Sequence, residues 1–206
     1  MFVRDIMTRN PVSIHPDATL RELLALMIDK TFEAIPVRAN GKVTGIVTDW
    51  DVITNSQGTS DYLDTVLVKD IMTTSVMTVT ENEIVEMAAY HMYFHDLDAL
   101  PVVDDAGNLV AIVTQNDVFR TLVSLMGLRA KGTRITIEVP DKEGVLADVT
   151  STVRDLGISI ASLSTLVPPG APHGHVILRV KTGEVDDLVK SLSAKYKVVH
   201  VSKTWE

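Results

Sequence analysis

Two short runs hold the side chains with the most chemical capacity: Thr48 with Asp51, and Thr114 with Asp117. An ionised carboxylate only accepts hydrogen bonds, so each Asp can take two from vicinal sugar hydroxyls while the Thr donates or accepts beside it. Thr-x-x-Asp is also an ordinary helix-start arrangement, with the Asp in the first turn favoured by the helix dipole. Both readings stand on these residues alone. The other polar clusters offer less. His95-Asp96-Leu97-Asp98 has metal-ligand residue types but reads as an exposed turn, and His91 reads as a surface or edge residue. His173 and His175 flank a glycine in a Pro-rich stretch that reads as a mobile loop. No nucleophile stands in a recognisable elbow, and no Gly-Lys-Ser phosphate loop occurs. With no cysteine in the chain, disulfides, thiolate metal sites and cysteine nucleophiles are excluded. A chain without catalytic residues or a metal site is expected.

The elements that must position these residues are written twice. VRDIMT at Val3 to Thr8 returns as VKDIMT at Val68 to Thr73, and GIVTDWDV at Gly45 to Val52 returns as AIVTQNDV at Ala111 to Val118. The spacing grows by one residue between Pro101 and Thr114, which places an insertion in the Asp104 to Asn108 turn. Two half-units that cannot each bury their own apolar face must pair, and the pseudo-twofold cleft between them is the natural ligand site. Each copy opens with an extended run, Val12 to Ile14 or Met77 to Val79. A helix follows. In the first copy Leu20, Leu23, Leu24, Met27 and Ile28 share a face, and Thr19 with Glu22 forms a capping box. In the second the face is Val85, Ala88, Ala89 and Met92, with Asn82 or Thr80 as the cap. Strands at Ala34 to Arg38 and Val43 to Val47, or Ala99 to Val103 and Leu109 to Val113, form a hairpin, and a second helix closes each copy.

In its DIMT openings, its Ile35-Pro36 and Leu100-Pro101 pairs and its closing G(I/V)VTxxD pattern, with Ala111 for the first Gly, the chain resembles a tandem cystathionine beta-synthase (CBS) pair, or Bateman module. The resemblance implies an adenosine-containing ligand such as AMP, ADP, ATP or S-adenosylmethionine. It implies one site at Ile14, Ile35, Pro36, Thr48 and Asp51, and a second at Val79, Leu100, Pro101, Thr114, Asp117 and Arg120. Asp and Thr would meet the ribose, and the apolar residues the adenine. Arg4, Arg9, His15, Lys69 and Arg120 are the phosphate candidates, and each also reads as a solvated charge. With a net charge of −8, a polyphosphate would need Mg²⁺ or bind less readily than a monophosphate.

From Thr133 the pattern changes. RITIEVP alternates as a half-buried strand ending at Pro140, and Leu146, Val149, Val153 and Leu156 share a helix face that stops at Gly157. Strands at Ile158 to Ser164 and His175 to Lys181, a helix at Val185 to Lys195 and a strand at Lys197 to Val201 complete a ferredoxin-like βαββαβ order. PDKEGVLADV resembles the signature of the ACT domain, a small-molecule regulatory module. That resemblance implies pairing with another copy and an effector loop at Asp141, Lys142, Glu143, Gly144 and Val145, where Gly144 allows close backbone approach.

The expected fold is therefore α+β, with small sheets packed by helices in a pseudo-twofold CBS pair followed by the ACT domain. Its expected bounds are residues 1–65, 66–126, a flexible linker at 127–133, and 134–206. This order is similar to that of AcuB-type acetoin-utilisation proteins. The expected function is a cytoplasmic, non-catalytic sensor, a homodimer that regulates carbon metabolism or a partner enzyme. The alternatives are a constitutive assembly module with empty clefts and an amino-acid sensor working through the ACT domain. No apolar window is long enough for a membrane span, MFVRDIMTRNP lacks the apolar core of a signal peptide, and no basic block suits nucleic acid.

Overall fold

The computed structural model describes residues 1–30, 32–55, 60–129 and 131–204. The chain divides into two compact units, Met1–Phe119 and Arg120–Glu206.

The first unit holds both copies. A 3-10 turn at Val3–Asp5 leads to β1 (Thr8–Arg9), α1 (Leu20–Lys30), β2 (Ala34–Ala39), β3 (Lys42–Thr48), α2 (Asp49–Asn55) and α3 (Ser60–Thr65). The second copy follows with α4 (Val68–Ile71), β4 (Val79–Thr80), α5 (Val85–His95), β5 (Ala99–Val103), β6 (Leu109–Thr114) and the start of α6 (Gln115–Leu125). The hairpins are antiparallel, β2 with β3 and β5 with β6. Asn40 and Gly41, at φ of 51° and 84°, make the two-residue turn of the first, where left-handed conformations match the strand twist. In the second hairpin the insertion forms a turn in which Asp104 accepts from the backbone of Ala106 and Asn108.

The repeated opening segments are exchanged between the copies. Thr8 and Arg9 of the first pair with Ile112 and Ala111 of the second, while Thr73 of the second bridges to Ile46 of the first. The Val3 and Arg4 amides donate to Glu83 and Glu81, ahead of α5, and the Val68 and Lys69 amides donate to Ala18 and Pro16, ahead of α1. Consequently Val68, Ile71 and Met72 complete the core of Leu20, Leu23, Ile35 and Val47, and Val3, Ile6 and Met7 complete that of Ala88, Met92, Leu100 and Val113. The Asp of each DIMT closes its own turn, accepting from the amide three residues earlier: Asp5 from Phe2 at 2.8 Å and Asp70 from Leu67 at 3.0 Å.

The capping box at α1 is present, with the Thr19 amide 2.8 Å from Glu22 and the Glu22 amide 3.3 Å from the Thr19 hydroxyl. Two details depart from expectation. Ile28 is 75% exposed, because the buried stripe of α1 is Leu20, Leu23 and Met27 and the next residue turns about 100° away from it. The N-cap of α5 is Ile84, with no side-chain cap, so neither Asn82 nor Thr80 serves there. The exchanged segment takes part of that role, since the Val85 amide donates to the Met1 carbonyl.

The second unit contains β7 (Gly132–Pro140), α7 (Val145–Asp155), β8 (Ile160–Leu166), β9 (His173–Val180), α8 (Asp186–Ser193) and β10 (Lys197–Thr204), with sheet order β10-β7-β9-β8, all neighbours antiparallel. Ile135, Ile137, Val149, Val153, Leu178, Leu188 and Leu192 form its core. On α7 the buried residues are Val145, Val149 and Val153, so Leu146 and Leu156 flank the packed face and are 43% and 40% exposed, contrary to the expected stripe. His173 and His175 are not in a loop either: β9 begins earlier than expected, pairing them with Pro140 and Glu138 of β7. The Met126 carbonyl accepts from Ser162 and Arg179 of this unit's sheet, so the expected linker is anchored at its start, and its Ala130 lies outside the described residues. No helix among the described residues is long and apolar enough to cross a membrane.

Candidate functional site

At the end of β3 the chain turns directly into α2, and this junction carries the first Thr-x-x-Asp run. The Thr48 amide and hydroxyl both donate to Asp51 Oδ2, each at 2.8 Å, and the Asp51 amide returns to the Thr48 hydroxyl at 3.2 Å. The junction of β6 and α6 repeats this with Thr114 and Asp117 at 3.0, 2.7 and 3.2 Å. Helix capping is thus present at both. At Asp51 it uses one carboxylate oxygen, and Oδ1 accepts nothing among the described residues.

A cleft of about 210 Å³ opens beside Asp51. Thr48, Ala34 and Ile46 come from the first hairpin, while Thr73, Ser75, Val76 and Met77, together with Asp96 through Ala99, come from the second copy. The exchange of opening segments explains this mixed origin. The Ile46–Thr73 bridge lays the second DIMT against β3 and carries the following residues along the cleft. Gly45 permits that approach, since a Cβ there would lie 2.5 Å from Met72 Sδ and 3.2 Å from the Thr73 carbonyl.

The apolar residues that the sequence groups with each Asp are packed away from solvent: Ile14, Ile35 and Pro36 around the first hairpin, and Val79, Leu100 and Pro101 around the second. None of the six lines the Asp51 cleft. Among the described residues the phosphate candidates are also absent from its lining, and each has an interaction partner of its own. Arg4 bonds Asn82, Arg9 lies 3.5 Å from Glu81, His15 accepts from the Asp17 amide, and Lys69 pairs with Asp17 at 2.8 Å. The Lys69 ammonium holds the Asp17 carboxyl below its usual range. Arg120 is exposed on α6, three residues after Asp117.

Asp96 and Asp98 are the residues sequence reasoning set aside. Asp96 ends α5 in the left-handed conformation at φ 54°, and the Asp98 carbonyl accepts from the Gln115 amide, so the segment is an exposed turn, as expected, and it also lines the cleft. The first copy repeats the contact, its Glu33 carbonyl accepting from the Asp49 amide, so this strand entrance is structural in both copies. His91, half-buried on α5, has an Nδ1 without a hydrogen-bond partner, and its ring stacks 6.1 Å from that of His95. No group of three metal-ligating side chains converges among the described residues.

In the second unit, Asp141, Lys142, Glu143 and Gly144 are exposed and Val145 is buried at the start of α7. Gly144, at φ 83°, is its N-cap, and a Cβ there would meet no atom within 4 Å. A separate recess of about 890 Å³ lies at the other end of β7, lined by residues that include Thr133, Glu184, Asp186, Asp187 and Lys203.

The family description "CBS domain" matches residues 3–58 and 68–124, more than half of the chain, and "ACT domain" matches 133–198. A homoserine O-acetyltransferase from Methanocorpusculum labreanum is 38% identical over 115 residues, 55% of this chain and 23% of that protein. The chain therefore spans about a quarter of the length of that curated relative. Among solved structures, the CBS domain pair of protein MJ0100 in complex with 5′-methylthioadenosine and S-adenosyl-L-methionine shows 29% identity and a TM-score of 0.53, covering 59% of this chain and 95% of that one. CBSX2 in complex with AMP, a protein of Arabidopsis thaliana, gives 29% and 0.53, with 59% and 96% covered. A protein assigned to acetoin utilization (AcuB) from Vibrio cholerae gives 29% and 0.56, with 63% and 95% covered. The duplicated, segment-exchanged unit and these matches together show that the chain belongs to the CBS domain family, with an ACT domain following the CBS pair.

Proposed function

We propose that the protein is a non-catalytic sensor that takes an adenosine-containing small molecule in the cleft beside Asp51. One observation carries this reading: the cleft is walled by Thr48 and by an Asp51 whose Oδ2 is held in the cap while Oδ1 has no partner among the described residues. Capping and ribose binding then use different oxygens of one carboxylate. The ligands of the MJ0100 and CBSX2 structures support the adenosine class. A pseudo-twofold counterpart at Thr114, Asp117 and Arg120 forms the second site, and the buried Ile14, Ile35, Pro36, Val79, Leu100 and Pro101 support the two sites from behind. In the ACT domain, Asp141, Glu143, Gly144 and Val145 form an effector loop. The working boundaries are residues 1–65, 66–126 and 134–206, joined at 127–133, and the site of action is the cytoplasm. A polyphosphate ligand would bring Mg²⁺ with it.

Thermal unfolding with AMP, ATP, S-adenosylmethionine and 5′-methylthioadenosine tests the reading. Hydrogen bonds to a charged acceptor contribute about 1.5 to 3 kcal/mol each, so Asp51→Ala weakens the ligand about ten- to a hundredfold. Stabilisation that persists undiminished in both Asp51→Ala and Asp117→Ala, or that no adenosine compound produces, defeats it.

A specific observation favours self-association as well. Met87, Tyr90, Tyr93 and Phe94 of α5 are 37%, 49%, 81% and 61% exposed, and aromatic side chains are enriched where proteins meet. A homodimer is the expected state, and sedimentation equilibrium of Tyr90→Glu against the parent chain reads it.

A further inference from the structure

We infer that the Asp51 cleft selects an adenosine without phosphate, one whose 5′ substituent is neutral or cationic, as in a thioether or a sulfonium. This inference rests on the adenosine reading of the same cleft. Its lining contains three aspartates, Asp51, Asp96 and Asp98, and, among the described residues, no lysine, arginine or histidine. Neither Asp96 nor Asp98 forms an ion pair among the described residues, so their charges are not neutralised locally. Both are held by backbone geometry, Asp96 at the end of α5 and Asp98 through its carbonyl.

The duplication supplies an internal comparison. Where the second copy carries Arg120, one turn after its Asp, the first carries Thr54, whose hydroxyl donates back to the Trp50 carbonyl at 2.8 Å. Where the first opening segment carries Arg9, the second, which lines this cleft, carries Thr74. At both positions the copy that flanks this cleft carries a threonine where the other carries a cation. A phosphate dianion would meet like charge, with the hydroxyls of Thr73 and Ser75 rather than a cation beside it, and like charges facing each other suppress the wrong partner. A thioether or sulfonium chain meets the apolar side chains of Val76 and Met77, and a positive sulfur or ammonium gains from the carboxylates.

Calorimetric titration of the full chain with 5′-methylthioadenosine, S-adenosylmethionine and AMP, compared with Asp51→Asn, isolates the binding that depends on this cleft. The expected result is Asp51-dependent binding of the first two at least about tenfold tighter than AMP, with the gap narrowing as salt rises. Asp96→Asn combined with Asp98→Asn then narrows the same gap, and circular dichroism verifies the fold of each variant. Asp51-dependent binding of AMP equal to or tighter than that of 5′-methylthioadenosine, or a gap unmoved by the double substitution, overturns the charge selection while leaving the adenosine reading intact. No Asp51-dependent binding of any of the three overturns both.

Discussion

At the residue scale, the cap at Asp51 and the ribose contact proposed for it separate by experiment. Its Oδ2 ties the start of α2, so Thr48→Ala costs about 0.5 to 2 kcal/mol of stability, as for other lost N-caps. Chemical denaturation with and without ligand reads the two roles: the cap loss appears in both conditions, and a ribose contact adds a further loss only with ligand. In the ACT domain, Tyr196 donates to Asp148 Oδ2 at 2.8 Å, and burial followed by that bond pushes its pKa up to about 12 from 10.0. For an acid raised in the folded state the neutral form is favoured, so this stabilisation is whole below pH 10 and fades as pH rises through about 12. Phenolate absorbance is expected to show one late-titrating tyrosine, absent in Tyr196→Phe. The Thr-x-x-Asp runs were legible as candidates because their spacing is local. Asp96 and Asp98 were not, because nothing within one copy shows that its strand entrance faces the cap of the other.

At the scale of elements, periodicity located the longer helices and the hairpin strands to within a few residues, and the repeat fixed their order twice over, while the short β1, α3 and α4 were not read. Within the longer elements, what it missed lay at the margins of faces. Ile28, Leu146 and Leu156 are apolar, yet each stands just outside a buried stripe only three residues wide. The exchange of opening segments was also invisible, since nearly identical segments fit either copy's pattern equally well. Gly45 tests it. With Met72 Sδ only 2.5 Å from the position of a Cβ, Gly45→Val displaces the second opening segment and costs about 1 to 3 kcal/mol, as for other overpacked sites. Hydrogen exchange is expected to show lost protection at the Thr73 amide, which donates to the Ile46 carbonyl. Ala111, the counterpart in the second copy, already carries its methyl group fully buried, so Ala111→Gly changes the opposite segment in the other direction.

At the scale of the whole molecule, the two units have separate cores and their own sheets. A ligand in the Asp51 cleft binds the first alone, so at a hundred times its dissociation constant it adds about 2.7 kcal/mol to that unit. Differential scanning calorimetry is expected to show the transition of Met1–Phe119 rising while that of Arg120–Glu206 stays in place. A common rise of both would reveal that the units melt together.

The traded opening segments also bear on the joining of the two copies. A chain with a single copy would leave one core short of its Val-x-x-Ile-Met plug, and could fill the gap only with the plug of a twin. The present unit has the form of two such twins joined end to end in one chain. Joined, each plug meets its socket at an effective concentration set by the connecting chain rather than by dilution.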